Sequence, residues 1–233
     1  MNRETTNRIR FVLEDVLPPI VRDSALFRGV ASMAWGGHIT RLAAFRERAP
    51  FLTADEYETL YREHPRVHEG TDNSEACIER IIADTVGDSV CDVGCGTGVL
   101  IKRIREARDG AGHYTGVDFV VADAAAIPGV DYVAARIEYL PFPDAAFDTV
   151  ICTHVIEHVL EYRQAIAELR RICRTRLIIV VPREREYRYS FNPHFNFFPY
   201  THSFLRAVHP VPRNHACVDI GRDIYYSEDR LEA

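Results

Sequence analysis

Between residues 75 and 182, short apolar runs alternate with segments whose apolar residues recur every three or four positions. The first pattern belongs to buried strands and the second to amphipathic helices. The runs predict strands near 89–94, 113–119, 131–135, 147–153 and 177–181. Helical spacing predicts helices near 98–108, 121–126 and 159–173. A further helix is expected after Asp72-Asn73-Ser74-Glu75, a capping-box start followed by Ile78, Ile81 and Ile82 on one face. Such alternation implies an α/β fold: a Rossmann-like, doubly wound, mainly parallel sheet with ligands at the carboxyl ends of its strands. Beyond Pro182 the rhythm changes. Residues 183–204 are rich in Arg, Tyr, Phe, Asn, His and Pro, have no clean period, and are expected to form an inserted loop. Residues 216–220 and 224–226 flank a Gly221-Arg222-Asp223 turn, which predicts an antiparallel hairpin closing one edge of the sheet.

Residues 1–70 differ in character and are expected to form an N-terminal helical extension, a cap or lid on a domain spanning 71–233. The stretch from Arg8 to Leu17 has helical spacing and meets Pro18-Pro19, where a helix should stop. A short helix from Ile20 to Phe27 follows, after which Gly29, Gly36 and Gly37 should loosen the chain. Thr53-Ala54-Asp55-Glu56 has the capping-box form and opens a helix through Tyr57 and Leu60.

Composition narrows the class of protein. With 233 residues, 47% of them hydrophobic, the chain can bury one full core. A formal net charge of -6 and a pI near 5.9 argue against nucleic-acid binding driven by the protein's field. No apolar run approaches the ~18 residues of a membrane span, and Met1-Asn2-Arg3-Glu4-Thr5 is polar, so a cytoplasmic location without a membrane partner is expected. The six cysteines, Cys77, Cys91, Cys95, Cys152, Cys173 and Cys217, are scattered and several lie in apolar strands, which suits reduced thiols. Cys91 and Cys95 lack a second pair or a nearby His, and no metal site is expected.

The chemistry centres on Asp92-Val93-Gly94-Cys95-Gly96-Thr97-Gly98, where a strand breaks into a glycine turn before a helix. Glycines there allow a ligand to approach the backbone, and the helix start offers free amides. Asp118 follows at the end of the next strand, where a carboxylate can accept both hydroxyls of a ribose. Further on stand Leu140-Pro141-Phe142, Phe147-Asp148 and Glu157-His158-Val159. These ordered motifs, over roughly residues 75–182, resemble the class I S-adenosylmethionine-dependent methyltransferases, particularly their small single-domain, type 11-like branch.

That resemblance implies S-adenosylmethionine as cofactor. It implies that Asp92, Gly94, Cys95, Gly96 and Gly98 cradle the methionine part, that Asp118 with Phe119 beside it holds the ribose, and that residues just before Leu140 flank the adenine. Here the sequence departs from the family: Arg136 and Ile137 stand where an acidic and a small residue are common, and Arg136 cannot accept a hydrogen bond from the adenine amine. Ile137 then packs on the adenine, with Glu138 as the substitute carboxylate. Thr153 at the end of its strand, and Arg66 as a charge-assisted partner of the cofactor carboxylate, complete the expected contacts. Asp148 is expected to fix the start of its strand, and His158 to be structural.

The sulfonium methyl is already activated, so holding an acceptor in line is the protein's main task. A hydroxyl acceptor also needs a base, and His is the usual choice. His154, at the carboxyl end of the fourth strand, is the first candidate, with His194 and His202 in the aromatic insertion as the others. The expected activity is methylation of a small molecule or glycan, at oxygen in the first instance. An amine acceptor, or a catalytically silent cofactor-binding module serving a partner protein, are the alternatives. Acceptor and oligomeric state are not legible.

Overall fold

The computed structural model describes residues 11–35, 47–53, 55–57, 59, 70–120, 127–186 and 193–230. The chain divides into two compact units, one formed by residues 70–183 and 200–233, the other by residues 1–69 and 184–199.

The larger unit is a seven-stranded sheet. Its strands are β1 (Ser89–Val93), β2 (His113–Asp118), β3 (Val130–Ala134), β4 (Phe147–Thr153), β5 (Cys173–Pro182), β6 (His215–Ile220) and β7 (Asp223–Asp229), in the spatial order β3-β2-β1-β4-β5-β7-β6. The first five are parallel, and β7 runs antiparallel between β5 and β6. The order reverses at β1, so the crevice beside the carboxyl ends of β1 and β4 is the place where this topology accepts a ligand.

Two helices of the smaller unit, α1 (Pro19–Arg22) and α2 (Ala25–Trp35), precede four in the larger: α3 (Glu75–Asp84), α4 (Val99–Ala107), α5 (Tyr162–Ile172) and α6 (Thr201–Ala207). α3 and α4 bury Ile78, Ile81, Leu100, Ile101 and Ile104 against Val90, Tyr114, Ile151, Ile178 and Tyr225. α5 presents Ala165, Ile166, Leu169 and Ile172 to the interior, spaced as one helical face.

The expected elements of the sheet agree with these within a few residues, and the differences have local causes. α3 begins at Glu75 with Ser74 as its cap, whose hydroxyl accepts from the Cys77 amide at 3.3 Å. The cap is therefore Ser74 rather than Asp72. β5 starts at Cys173 directly from the end of α5, without the connection expected before 177. α6 begins inside the segment read as irregular. The helix expected near 121–126 lies outside the described residues.

In the smaller unit, a π-helical stretch over Val12–Val16 ends at Leu17, just before Pro18-Pro19 where a helix was expected to stop, and Pro19 then opens α1, because a proline at the first helical position gives up no hydrogen bond. α2 runs through Gly29 to Trp35, so this glycine does not loosen the chain; an interior glycine costs a helix only about 1 kcal/mol. Gly36 and Gly37 lie outside the described residues. Thr53 and Glu56 form the expected capping box: the Thr53 amide donates to Glu56 Oε2 at 2.8 Å, and the Glu56 amide to Thr53 Oγ1 at 3.3 Å.

Candidate active site

The glycine turn is fastened to the end of β2. The Gly94 and Cys95 amides both donate to the Val117 carbonyl, at 2.7 and 3.0 Å, and the Gly96 amide donates to Asp118 Oδ2 at 2.9 Å. Asp118 Oδ1 accepts from the Val120 amide at 3.1 Å. One carboxylate thus braces both the turn and the segment leaving β2. Gly94, Gly96 and Gly98 have φ of 80°, 56° and 80°. At Gly98 a Cβ would also stand 2.4 Å from the Tyr132 hydroxyl, and at Gly94 2.1 Å from a Val155 methyl, so side chains are excluded by close packing as well as by backbone angle. Gly98 caps α4 without a side-chain hydrogen bond, which leaves the start of that helix to main-chain amides.

Asp92 sits at the end of β1 with 1% of its surface exposed, and its Oδ2 is buried without a hydrogen-bond partner. Burial, helped by the nearby Asp118, pushes its carboxyl up to about 7. Thr97 Oγ1 and the Tyr132 hydroxyl are likewise buried and unpartnered. Burial, with Cys95 and Asp92 adding to it, raises the Tyr132 phenol. Buried polar atoms are normally satisfied. Asp92, Thr97 and Tyr132 thus carry buried polar atoms without a protein partner on and beside the glycine turn.

At the end of β4, Thr153 Oγ1 accepts from Asn73 Nδ2 at 2.9 Å, which ties the lead-in to α3 to the strand end, while Asn73 Oδ1 is buried and unpartnered. His154 follows in a left-handed conformation, φ 55°, its amide donating to the Val180 carbonyl at 2.9 Å. A non-glycine residue at positive φ is uncommon. Its ring lies between two buried carboxylates, with Nδ1 3.6 Å from Glu157 Oε1 and Nε2 3.8 Å from Asp223 Oδ1. Burial disfavours the charged ring, but Glu157, Asp223 and Asp72 outweigh it, and the imidazolium is held above its ordinary value of 6.5.

Of the residues singled out in the sequence, Asp92, Gly94, Cys95, Gly96, Gly98 and Asp118 meet at the ends of β1 and β2, with Phe119 next to Asp118. Thr153 ends the neighbouring β4 and His154 follows it. After β3, Arg136 pairs with Glu138 at 3.3 Å, and Ile137 is buried between them in sequence. In the smaller unit His194 Nδ1 lies 2.5 Å from Glu184 Oε2, both buried. His202 is exposed on α6 and stacks on Tyr200 at 5.1 Å. Arg66 lies outside the described residues. Sequence reasoning missed Asn73, Tyr132, Glu157 and Asp223. Tyr132 and Asp223 act from strands far along the chain, and only the sheet order brings them near.

Comparison with known proteins agrees with this geometry. Residues 91–181 match the family model described as a methyltransferase domain. A Mycolicibacterium smegmatis protein named "Probable S-adenosylmethionine-dependent methyltransferase" is 30% identical over 123 residues, 51% of this chain and 46% of its own length. A Streptomyces fradiae protein encoded in transposon TN4556 is 32% identical over 95 residues, which make up 28% of that protein. The chain therefore spans about half or less of the curated relatives that it matches. Among solved structures, a SAM-dependent methyltransferase from Aquifex aeolicus superposes with a TM-score of 0.52 at 18% identity, over 76% of this chain and 99% of that one. A Pyrococcus horikoshii protein gives 0.54 at 18% identity, over 74% and 99%. The matched segment, the strand order and the braced glycine turn agree: residues 91–181 are similar to the methyltransferase domain family, on a sheet that has the fold of the solved methyltransferase.

Proposed function

We propose that the chain transfers a methyl group to a hydroxyl of a small molecule or glycan, with His154 as the base. The observation that carries this reading is the ring of His154 at the carboxyl end of β4, beside the strand end that bears Asp92, with its Nε2 buried and not hydrogen-bonded. S-adenosylmethionine supplies the sulfonium methyl, an electrophile that needs no further activation. The residues at the crevice fit such a cofactor. Asp118 has carboxylate lone pairs to spare for ribose hydroxyls beside its two backbone donors. The Gly94–Gly98 main chain, Thr97 and Asp92 suit the amino-acid end, and buried Ile137 offers an apolar surface to the adenine.

His154 then removes the acceptor proton. Its O–H bond breaks as an N–H bond forms on the ring, and the adjoining carboxylates stabilise the resulting charge. The strained backbone and the His154 amide bond to Val180 aim the ring, and aim matters because a misplaced acceptor forfeits most of the rate gained by proximity.

Calorimetry with S-adenosylhomocysteine tests the cofactor assignment. Asp118→Ala should weaken binding at least about tenfold, since hydrogen bonds to a charged group are worth about 1.5–3 kcal/mol each. His154→Asn, which tolerates the left-handed backbone, should bind the cofactor normally and lose turnover on hydroxyl acceptors in a panel of sugars and phenols. Full turnover by that variant would remove His154 from the base role.

A further inference from the structure

His154 directly follows β4, Glu157 lies in the turn after it, and Asp223 opens β7, which pairs with β5 at Pro182. Asp223 is 2% exposed and Glu157 1%, and the His154 side chain is 12% exposed. Each ring nitrogen of His154 therefore faces a different buried carboxylate, at 3.6 Å on the Nδ1 side and 3.8 Å on the Nε2 side. Both separations exceed a hydrogen bond, yet each lies well inside the distance at which opposite charges act strongly in a poorly hydrated interior. From the lead-in to α3, Asp72 adds a third negative charge.

We infer that Asp223 is a positioning residue for His154: with Glu157 at the other nitrogen, it fixes the ring at the end of β4 and stabilises its protonated form. This rests on His154 being the base, and adds what sets its strength. A neutral imidazole flanked in this way is a stronger base than a solvated one, and the charge it acquires is already compensated. The same carboxylates favour retention of the proton at neutral pH. Turnover on a hydroxyl acceptor then rises with pH through the raised midpoint, because only the neutral ring can accept a proton. Removing the Asp223 charge lowers that midpoint and shifts the rising limb to lower pH.

The test is an NMR titration of the His154 ring in the full chain without cofactor, its signal assigned by its loss in His154→Asn. The native midpoint should lie above 6.5. In Asp223→Asn it should fall by about one unit, a tenfold loss of proton affinity. A native midpoint at or below 6.5, or an unmoved midpoint in folded Asp223→Asn, overturns the inference. If Asp223→Asn does not fold, Asp223→Glu keeps the charge and must keep the native midpoint or raise it, and a lowered midpoint also overturns the inference. The titration needs neither cofactor nor acceptor. It therefore fails or succeeds separately from the proposed reaction, which S-adenosylhomocysteine binding and the His154→Asn turnover assay decide.

Discussion

Asp92 and Tyr132 stand in one row across the sheet with Gly116 between them: Asp92 pairs with Gly116, and Gly116 with Tyr132. Residues in register on neighbouring parallel strands share a face, so the phenol lies on the side of the sheet that carries the Asp92 carboxyl. Gly116 makes this possible, because a Cβ there would be 2.9 Å from both Cys95 Sγ and the Tyr132 ring. The site under the glycine turn is thus shaped by an absent side chain on β2.

Gly116→Ala is therefore expected to destabilise the fold by about 1–3 kcal/mol, the usual cost of overpacking. It should also weaken S-adenosylhomocysteine binding, because Cys95 belongs to the turn that must move. Urea unfolding and calorimetry on the one variant measure both effects. Unchanged values for both would show that the row relaxes freely.

The raised Asp92 carboxyl has a pH consequence. Its folded-state value, about 7, lies above the ordinary 3.8, so the folded chain binds this proton more tightly than the unfolded chain does. Asp92 thus opposes folding increasingly as pH rises from 3.8 to about 7, after which the effect is constant. Asp92→Asn, which cannot ionise, should gain stability relative to the parent between pH 4 and 8, by a difference of order 4 kcal/mol. Paired urea unfolding curves at the two pH values test this, and a gap that does not change with pH refutes it.

Asp148 behaves in the opposite way. Its Oδ2 accepts from the Asp88 and Ser89 amides and the Ser89 hydroxyl at 2.9–3.0 Å, and Oδ1 pairs with Arg174 at 2.8 Å. Burial raises its carboxyl, but these bonds outweigh burial and hold it below the ordinary 3.8. Its stabilisation is present above the unfolded value and is lost as pH falls through the folded one. Asp148→Ala should cost about 2 kcal/mol at pH 7 and progressively less below pH 4, as read from urea midpoints. Cofactor affinity should stay at the parent level, since the residue lies at the opening end of β4.

That last role was legible in the sequence, as were the glycine turn and the alternation of strands and helices, because each depends on local chemistry. A glycine triplet between a strand and a helix has few other uses. Tyr132 and Asp223 were not legible: their roles come from strand order, which no spacing along the chain encodes. Gly116 was hidden for the same reason, since its neighbours Asp92 and Tyr132 are distant in sequence. In the smaller unit the chain was misread at Gly29, where a glycine continues a helix.

The antiparallel strand β7 fills an interior place between β5 and the edge strand β6, although it is the last of the seven to be made. During synthesis β5, with Leu177–Val181 wholly apolar, must wait with one side unpaired until residues 223–229 arrive. An apolar strand with an open edge is the kind of surface that chaperones hold and that seeds misassembly. Because Asp223 opens β7, the surroundings of His154 are complete only after that closure: a nascent chain can build its glycine turn early, but gains its full complement of charges around the ring with the closing strand.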